Sequence, residues 1–321
     1  MSVLSPPPTT SGTTARVLSD WRVKFVLLAL IWGTSFVFIK IGAQALAPAQ
    51  LTLGRMVCGA LPLLAVLLLR GGRLPRSPRL WGHLLVTALL LNTVPFTLFG
   101  YAAQLIPSAL MGIVNASTPL FAVVFSMLLL ADERPDRDRF LGLAIGFVGV
   151  LTVFGVWNSL SEVSVGGRDA LVGMLLVVGA TACYGLGTPY LRRFVAGSSH
   201  GALELSTLQL LLGAVPLAVL VPLTTDAPTE LDWRVVVSVV ALGALGTGLA
   251  YILQYAIVRA AGATVATTVT YVAPVVAIAA GIVLMGETLT WNQPLGAAVI
   301  ILGAALCQGV LRTRRVPSRH T

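Results

Sequence analysis

Charge is what this sequence has least of. Only 10% of its 321 residues are Asp, Glu, Lys or Arg, against roughly 25% in a typical soluble domain. So few charges cannot cover an aqueous surface, and with 56% hydrophobic residues lipid must be the solvent for most of the chain. Cysteine is nearly as sparse. Cys58, Cys183 and Cys307 lie far apart in apolar stretches, with neither disulfide nor metal spacing, so they read as small buried residues. The three histidines are His83, His200 and His320, placed at a helix end, in a loop and in a tail. None joins a buried triad or metal site by spacing. No Gly-x-x-x-x-Gly-Lys-[Ser/Thr] loop occurs either, which argues against nucleotide hydrolysis. No catalytic residue, metal or cofactor is therefore expected.

Long uncharged runs are what the chain has instead. A hydrocarbon core about 30 Å thick takes roughly 20 apolar residues per spanning helix. Ten segments meet that length: 23–43, 51–69, 81–103, 107–130, 140–156, 171–191, 204–222, 235–258, 262–285 and 294–311. Pro75, Pro78, Pro135, Pro228 and Pro294 mark loops or first helical turns, where a missing N–H does little harm. The stretch before the first segment is rich in Ser, Thr and Pro and reads as a disordered tail. It lacks the apolar core of a signal peptide.

Lys and Arg favour the cytoplasmic side of a membrane. With the N-terminus inside, 17 of the 21 basic residues fall on that side and only Arg168 and Arg234 fall outside. Lys40 and Arg55 remain within helices. Both termini are thus expected in the cytoplasm, and the net charge of +9 is a topology signal that needs no nucleic acid. Carboxylates keep to the two faces: Asp20, Asp132, Glu133, Asp136, Asp138 and Glu204 inside, and Glu162, Asp169, Asp226, Glu230, Asp232 and Glu287 outside. None is at the midplane, so no carboxylate proton relay is visible.

The two halves repeat. "QLTLGRMVCGALPLL" from Gln50 lines up with "ELSTLQLLLGAVPLA" from Glu204. Gly59 pairs with Gly213, Pro62 with Pro216, Tyr101 with Tyr255 and Gly142 with Gly296, all at a separation of 154. Pro119 and Pro274 follow with a slip of one. Five crossings per half invert the second copy, the arrangement that underlies alternating access. The expected fold class is an all-α membrane protein of ten transmembrane helices in two inverted five-helix repeats. The expected organisation is a cytoplasmic tail over 1–22, a first repeat over 23–156 and an external linker over 157–170. A second repeat over 171–311 and a basic cytoplasmic tail over 312–321 complete it. Neither tail has room for a soluble domain.

Polar side chains in lipid must find partners or line a cavity. Trp32 and Ser35 fall near the middle of the first helix; Asn92 shares a face of the third with Pro95, Phe96 and Phe99. Asn115 and Thr118 precede Pro119 in the fourth. Tyr184, Thr188 and Tyr190 belong to the sixth, Tyr251, Gln254 and Tyr255 to the eighth. Thr267, Thr270, Tyr271 and Pro274 make one stripe of the ninth. Trp32, Ser35, Asn92, Asn115, Thr118, Tyr184, Thr188, Tyr251, Gln254, Thr270 and Tyr271 are the candidate substrate-binding set. Pro119 and Pro274 are candidate helix breaks, whose freed carbonyls can bind a ligand. Each has a structural reading too: Ser and Thr bond their own backbone or a neighbouring helix, and prolines set kinks. Lys40 and Arg55, about a turn into the second helix, share the outer mouth with Glu287. They either gate it and attract a carboxylate, or Lys40 simply snorkels to the headgroups. The glycine spacings Gly142-x-x-x-Gly146 and Gly296 to Gly303 permit close helix approach. They read as intrachain packing first and a homodimer face second.

Several of these stretches together resemble the drug/metabolite transporter superfamily, in its bacterial ten-helix branch of two EamA-type domains. The residues that carry the resemblance are Trp32-Gly33-Thr34-Ser35-Phe36, Arg55, the acidic ends "LLLADERP" and "LMGETLTW", and the Gly-rich "GLAIGFVGV" and "LGAAVIILGAAL". Two departures stand out: Ala131-Asp132-Glu133 where the family tends to Gly-Glu, and Pro189 in "CYGLGTPY". The resemblance implies an inner (cytoplasmic) membrane carrier that exports or exchanges small metabolites without hydrolysing ATP. A Tyr-rich, Asn/Thr-dotted cavity points to amino acids or related zwitterionic or aromatic compounds. A multidrug exporter of the same fold is the alternative. A lipid-modifying membrane enzyme would need a His/Asp/Glu cluster that is missing, and a sensor would need a soluble domain. The expected partners are a small-molecule substrate and the bilayer.

Overall fold

The computed structural model describes residues 20–130, 137–155, 167–228, 231–261, 266 and 269–307. The acidic end Asp132-Glu133, Thr267, most of both tails and much of the linker lie outside the described residues.

Local chemistry sets the helix ends. Asp20 caps α1 (Trp21–Gly42), its carboxylate accepting the Arg22 N–H at 2.9 Å. α2 (Pro48–Leu69) starts on a proline, and the Gln50 side chain accepts the Ala47 N–H at 2.9 Å. It stops where Gly71 takes φ +67°, which lets the Gly72 N–H turn back to the Leu67 carbonyl. Ser77 caps α3 (Pro78–Leu105). α4 covers Ser108–Leu129, α5 Arg137–Phe154 and α6 Gly167–Phe194. The second half follows with α7 (Ala202–Thr224), α8 (Trp233–Ala261), α9 (Val269–Met285) and α10 (Asn292–Cys307). No strand occurs among the described residues.

By length and composition, seven of these rods suffice to cross a membrane, namely α1 to α4 and α6 to α8. α9 and α10 are shorter apolar helices. α5 opens on Arg137, Asp138 and Arg139, so its apolar part begins a turn later.

Three rods are interrupted. α3 widens to a π-helical turn over Leu89–Thr93, directly before Pro95. α8 does the same over Ala241–Leu249, in the glycine-rich "ALGALGTGL". These two segments occupy matching places in the two repeats. α4 breaks between Asn115 and Thr118. Pro119 sits in the first turn after the break, where its lost N–H is harmless. Hydroxyls cover the carbonyls exposed there: Ser117 donates to the Val114 carbonyl at 2.8 Å and Thr118 to that of Asn115 at 2.8 Å. α9 differs from expectation. It runs through Pro274 without a break, because the loss is a single i→i−4 bond in a helix held by the burial of Ala273, Pro274 and Ala277.

Glycines set the packing, and each contact has a counterpart with the halves exchanged. Gly59 of α2 lies against the Gly243 carbonyl and Thr247 of α8, leaving 3.0 Å for any added methyl. Its repeat partner Gly213 of α7 lies against Met56 of α2 and Thr93 of α3. Gly33 joins α1 to Ala273 and Val276 of α9, as Gly185 joins α6 to Phe121 and Ala122 of α4. α5 and α10 form their own pair, with Gly149 against the Ile300 backbone and Gly296, and Gly303 against Gly142 and Gly146. The glycine stripes are thus consumed within the chain.

Candidate functional site

A cavity of about 280 Å³ lies at the centre of the bundle, lined from α1, α2, α3, α4, α6, α8 and α9. Both repeats contribute. On α1, Trp32 and Ser35 face it; Ser35 donates to the Ile31 carbonyl at 2.7 Å, so its hydroxyl is partly spent on its own helix. At the break in α4, Asn115 and Thr118 face it. Tyr184 and Thr188 come from α6, Tyr251 and Gln254 from α8, and Thr270 from the start of α9.

Two candidates stand outside the lining. Asn92 is fully buried behind the wall and joins three helices. Its amide donates to the Tyr251 hydroxyl at 2.8 Å, and its carbonyl oxygen accepts from Gln209 of α7 at 2.6 Å. Tyr271 is half-buried against the main core and does not line the cavity.

Of the three residues expected at one mouth, Arg55 separates, while Lys40 and Glu287 stay together at the α3–α4 junction. Arg55 is only 8% exposed and lines the central cavity. Its Nε donates to the Thr247 hydroxyl at 3.0 Å, and its guanidinium carbon sits 3.6 Å from the centre of the Phe96 ring. Lys40 donates to the Ile106 carbonyl at 2.9 Å. Glu287 caps the neighbouring helix: its carboxylate accepts the Ser108 and Ala109 N–H groups at 2.6 and 2.8 Å. A carboxylate on a helix N-terminus meets both unpaired donors and the positive end of the dipole. Gly286, at φ +64°, turns the chain so that Glu287 can reach there, and Gly281 leaves space for its carboxylate. The tightest ties at this end of the bundle are therefore between α1, the α3–α4 junction and the end of α9.

Sequence reading missed several lining residues. Phe36 and Ile39 of α1, Leu91, Phe96 and Phe99 of α3, Gly246 and Thr247 of α8 and Ala273 of α9 complete the wall. Phe36 meets Phe99 in a tilted contact with centroids 5.5 Å apart, and Phe99 stacks on Tyr184 at 6.2 Å, giving an aromatic side. Thr247 carried a signal: it stands 154 residues after Thr93, and a buried Arg55 needs an oxygen partner.

An all-helical, lipid-solvated bundle with a polar and aromatic cavity lined from two homologous halves is the build of a membrane transporter. The chain belongs to the EamA-like transporter family, whose profile matches twice, over residues 21–155 and 171–307. It is 30% identical over 281 residues to "Uncharacterized inner membrane transporter YedA" of Escherichia coli (strain K12), covering 87% of each chain. It is 27% identical to "Uncharacterized transporter YvbV" of Bacillus subtilis (strain 168), over 87% of this chain and 88% of that one. It is also 26% identical to "Probable amino-acid metabolite efflux pump" of Salmonella typhimurium (strain LT2), over 90% and 95%. A crystal structure sharing 22% identity aligns with a TM-score of 0.63, over 88% of this chain and 94% of that chain, which fits the same fold. The protein is a multi-pass transporter of the inner membrane.

Proposed function

We propose that the protein exports a small metabolite by alternating access, across ten membrane crossings with both termini in the cytoplasm. The central cavity carries this reading. It is fed by both repeats, so rocking one half against the other would change the side it faces while keeping its lining. A volume of about 280 Å³ sits at the small end of ligand pockets, which run roughly 300–1,000 Å³. That size favours a metabolite over a bulky drug. The name of the Salmonella relative supports amino-acid metabolites as the class to test first. Trp32, Tyr184 and Tyr251 would hold the substrate's body, and Asn115, Thr188, Gln254 and Thr270 its polar groups. The purified protein in proteoliposomes should release labelled amino-acid metabolites with saturable kinetics. Saturable movement of inorganic cations alone would sink the proposal.

A further inference from the structure

Among the described residues, Arg55 is a cation without an anion. It is buried, its Nε is engaged by Thr247, and its guanidinium lies on the face of Phe96. An arginine has five N–H donors; the four on its two Nη atoms have no protein partner among the described residues. No described carboxylate pairs with it. Glu287 is committed to the Ser108 and Ala109 N–H groups. Tyr184 and Tyr251 line the same cavity as Arg55. A buried, unpaired charge is strongly unfavourable, and charged groups inside a membrane protein mark ligand paths.

We infer that Arg55 is the anchor for a carboxylate of the transported compound, and that the site prefers net-anionic acids to zwitterions. The inference rests on the carrier reading above. A carboxylate takes two parallel N–H bonds from the Nη edge of a guanidinium, a geometry that Lys cannot copy. Thr247 and Phe96 hold the plane of that edge, since one bonds Nε and the other covers the face. A monoanion would bring the cavity to zero charge. A zwitterion leaves it as positive as before, with no acidic residue in the described lining for its ammonium group. The aromatic side built from Phe36, Phe99 and Tyr184 suits an apolar or aromatic body on that acid.

Four probes with one body separate the terms: 3-phenylpropionate, its primary amide, phenylalanine and 3-phenylpropylamine. Calorimetric binding to purified protein in nanodiscs should rank the acid above the amide by about tenfold or more, the net worth of a charge-assisted bond. Phenylalanine should fall between the acid and the amine. Arg55→Gln should bring the acid-to-amide ratio close to one, and Arg55→Lys should keep a reduced preference. Because the ratio is internal to each variant, an unfolded Arg55→Gln shows as loss of all binding, and the Lys variant then decides. The inference is overturned if the wild type binds amide or amine as tightly as acid, binds none of the four, or keeps its ratio in Arg55→Gln. It is also overturned if Arg55→Gln does not fold and Arg55→Lys loses the acid preference. Flux of the labelled acid in proteoliposomes tests the carrier reading separately. Arg55-dependent binding without flux keeps the anchor and removes the carrier; flux indifferent to Arg55 does the reverse.

Discussion

Asn92 shows how much one buried side chain does here. It ties α7 to α8 through α3, taking one bond from Gln209 and giving one to Tyr251. Asn92→Leu keeps the branched shape but orphans the Gln209 amide behind the cavity wall. An orphaned buried group costs about 1–3 kcal/mol, although bonds between membrane helices average about 0.6 kcal/mol when measured pairwise. The expected loss is therefore about 1–2 kcal/mol in a detergent unfolding titration. Transport should fall further than stability, because Tyr251 loses the bond that aims its ring at the cavity. Normal transport in Asn92→Leu would place the site elsewhere. Glu287 is the second such residue. In Glu287→Gln one oxygen can still accept an N–H, but the charge at the start of α4 is gone. A charge at a helix terminus is worth about 0.3–1 kcal/mol, up to about 2 when partly buried. Glu287→Ala should lose more than Glu287→Gln in the same titration; equal stability for wild type and Ala would remove the cap from the account.

Helices were legible in the sequence, as was the break before Pro119; the two π-helical interruptions were not. Each expected segment contains a helix among the described residues, with ends shifted by a few residues, because twenty uncharged residues in lipid can satisfy their backbone in few other ways. The π turns at Leu89–Thr93 and Ala241–Leu249 leave no trace in an all-round apolar run, where hydrophobic period carries no phase. Only Pro95 and the glycines hinted at them. The depth of Arg55 was misjudged for a related reason. Counted from Leu51 it lies about a turn in; α2 starts at Pro48, which puts it about 10 Å along the axis at ~1.5 Å per residue. Trp32, Asn115 and Tyr251 were legible as cavity-lining candidates because a large or polar group deep in lipid must meet something other than lipid. Apolar lining such as Ile39 and Leu91 looks like any lipid-facing residue. At this scale the α5–α10 pair gives a clear test. Gly303→Val would drive a side chain into the backbone of Gly142 and Gly146. Overpacking costs about 1–3 kcal/mol, whereas Leu302→Val, at a half-exposed neighbour, should change stability little. A Gly303→Val protein as stable as the wild type would mean that the stripe is not packed as described.

Reciprocal packing belongs to the whole molecule. α1 leans on α8 and α9, as α6 leans on α3 and α4, so each half lends its first helix to the other. This interlacing explains why the cavity draws on both repeats and on none of α5, α7 and α10. It also suits a two-fold axis lying in the membrane plane, the axis expected when a five-helix repeat is inserted twice with opposite sense. That axis makes a prediction about equivalent loops. Gln44 follows α1, and Ser199 lies in the corresponding connection after α6; both are exposed. Inverted repeats put them on opposite faces of the membrane, whereas parallel repeats put them on the same face. With the native cysteines replaced, Gln44→Cys should react with an impermeant maleimide in intact cells and Ser199→Cys only after lysis. The pair Asp226→Cys and Arg73→Cys extends the test: the first should label from outside, the second from the cytoplasm, where the excess of Lys and Arg places it. Labelling of Gln44→Cys and Ser199→Cys from one side would break the inverted symmetry, and with it the rocking mechanism that makes a central cavity a carrier.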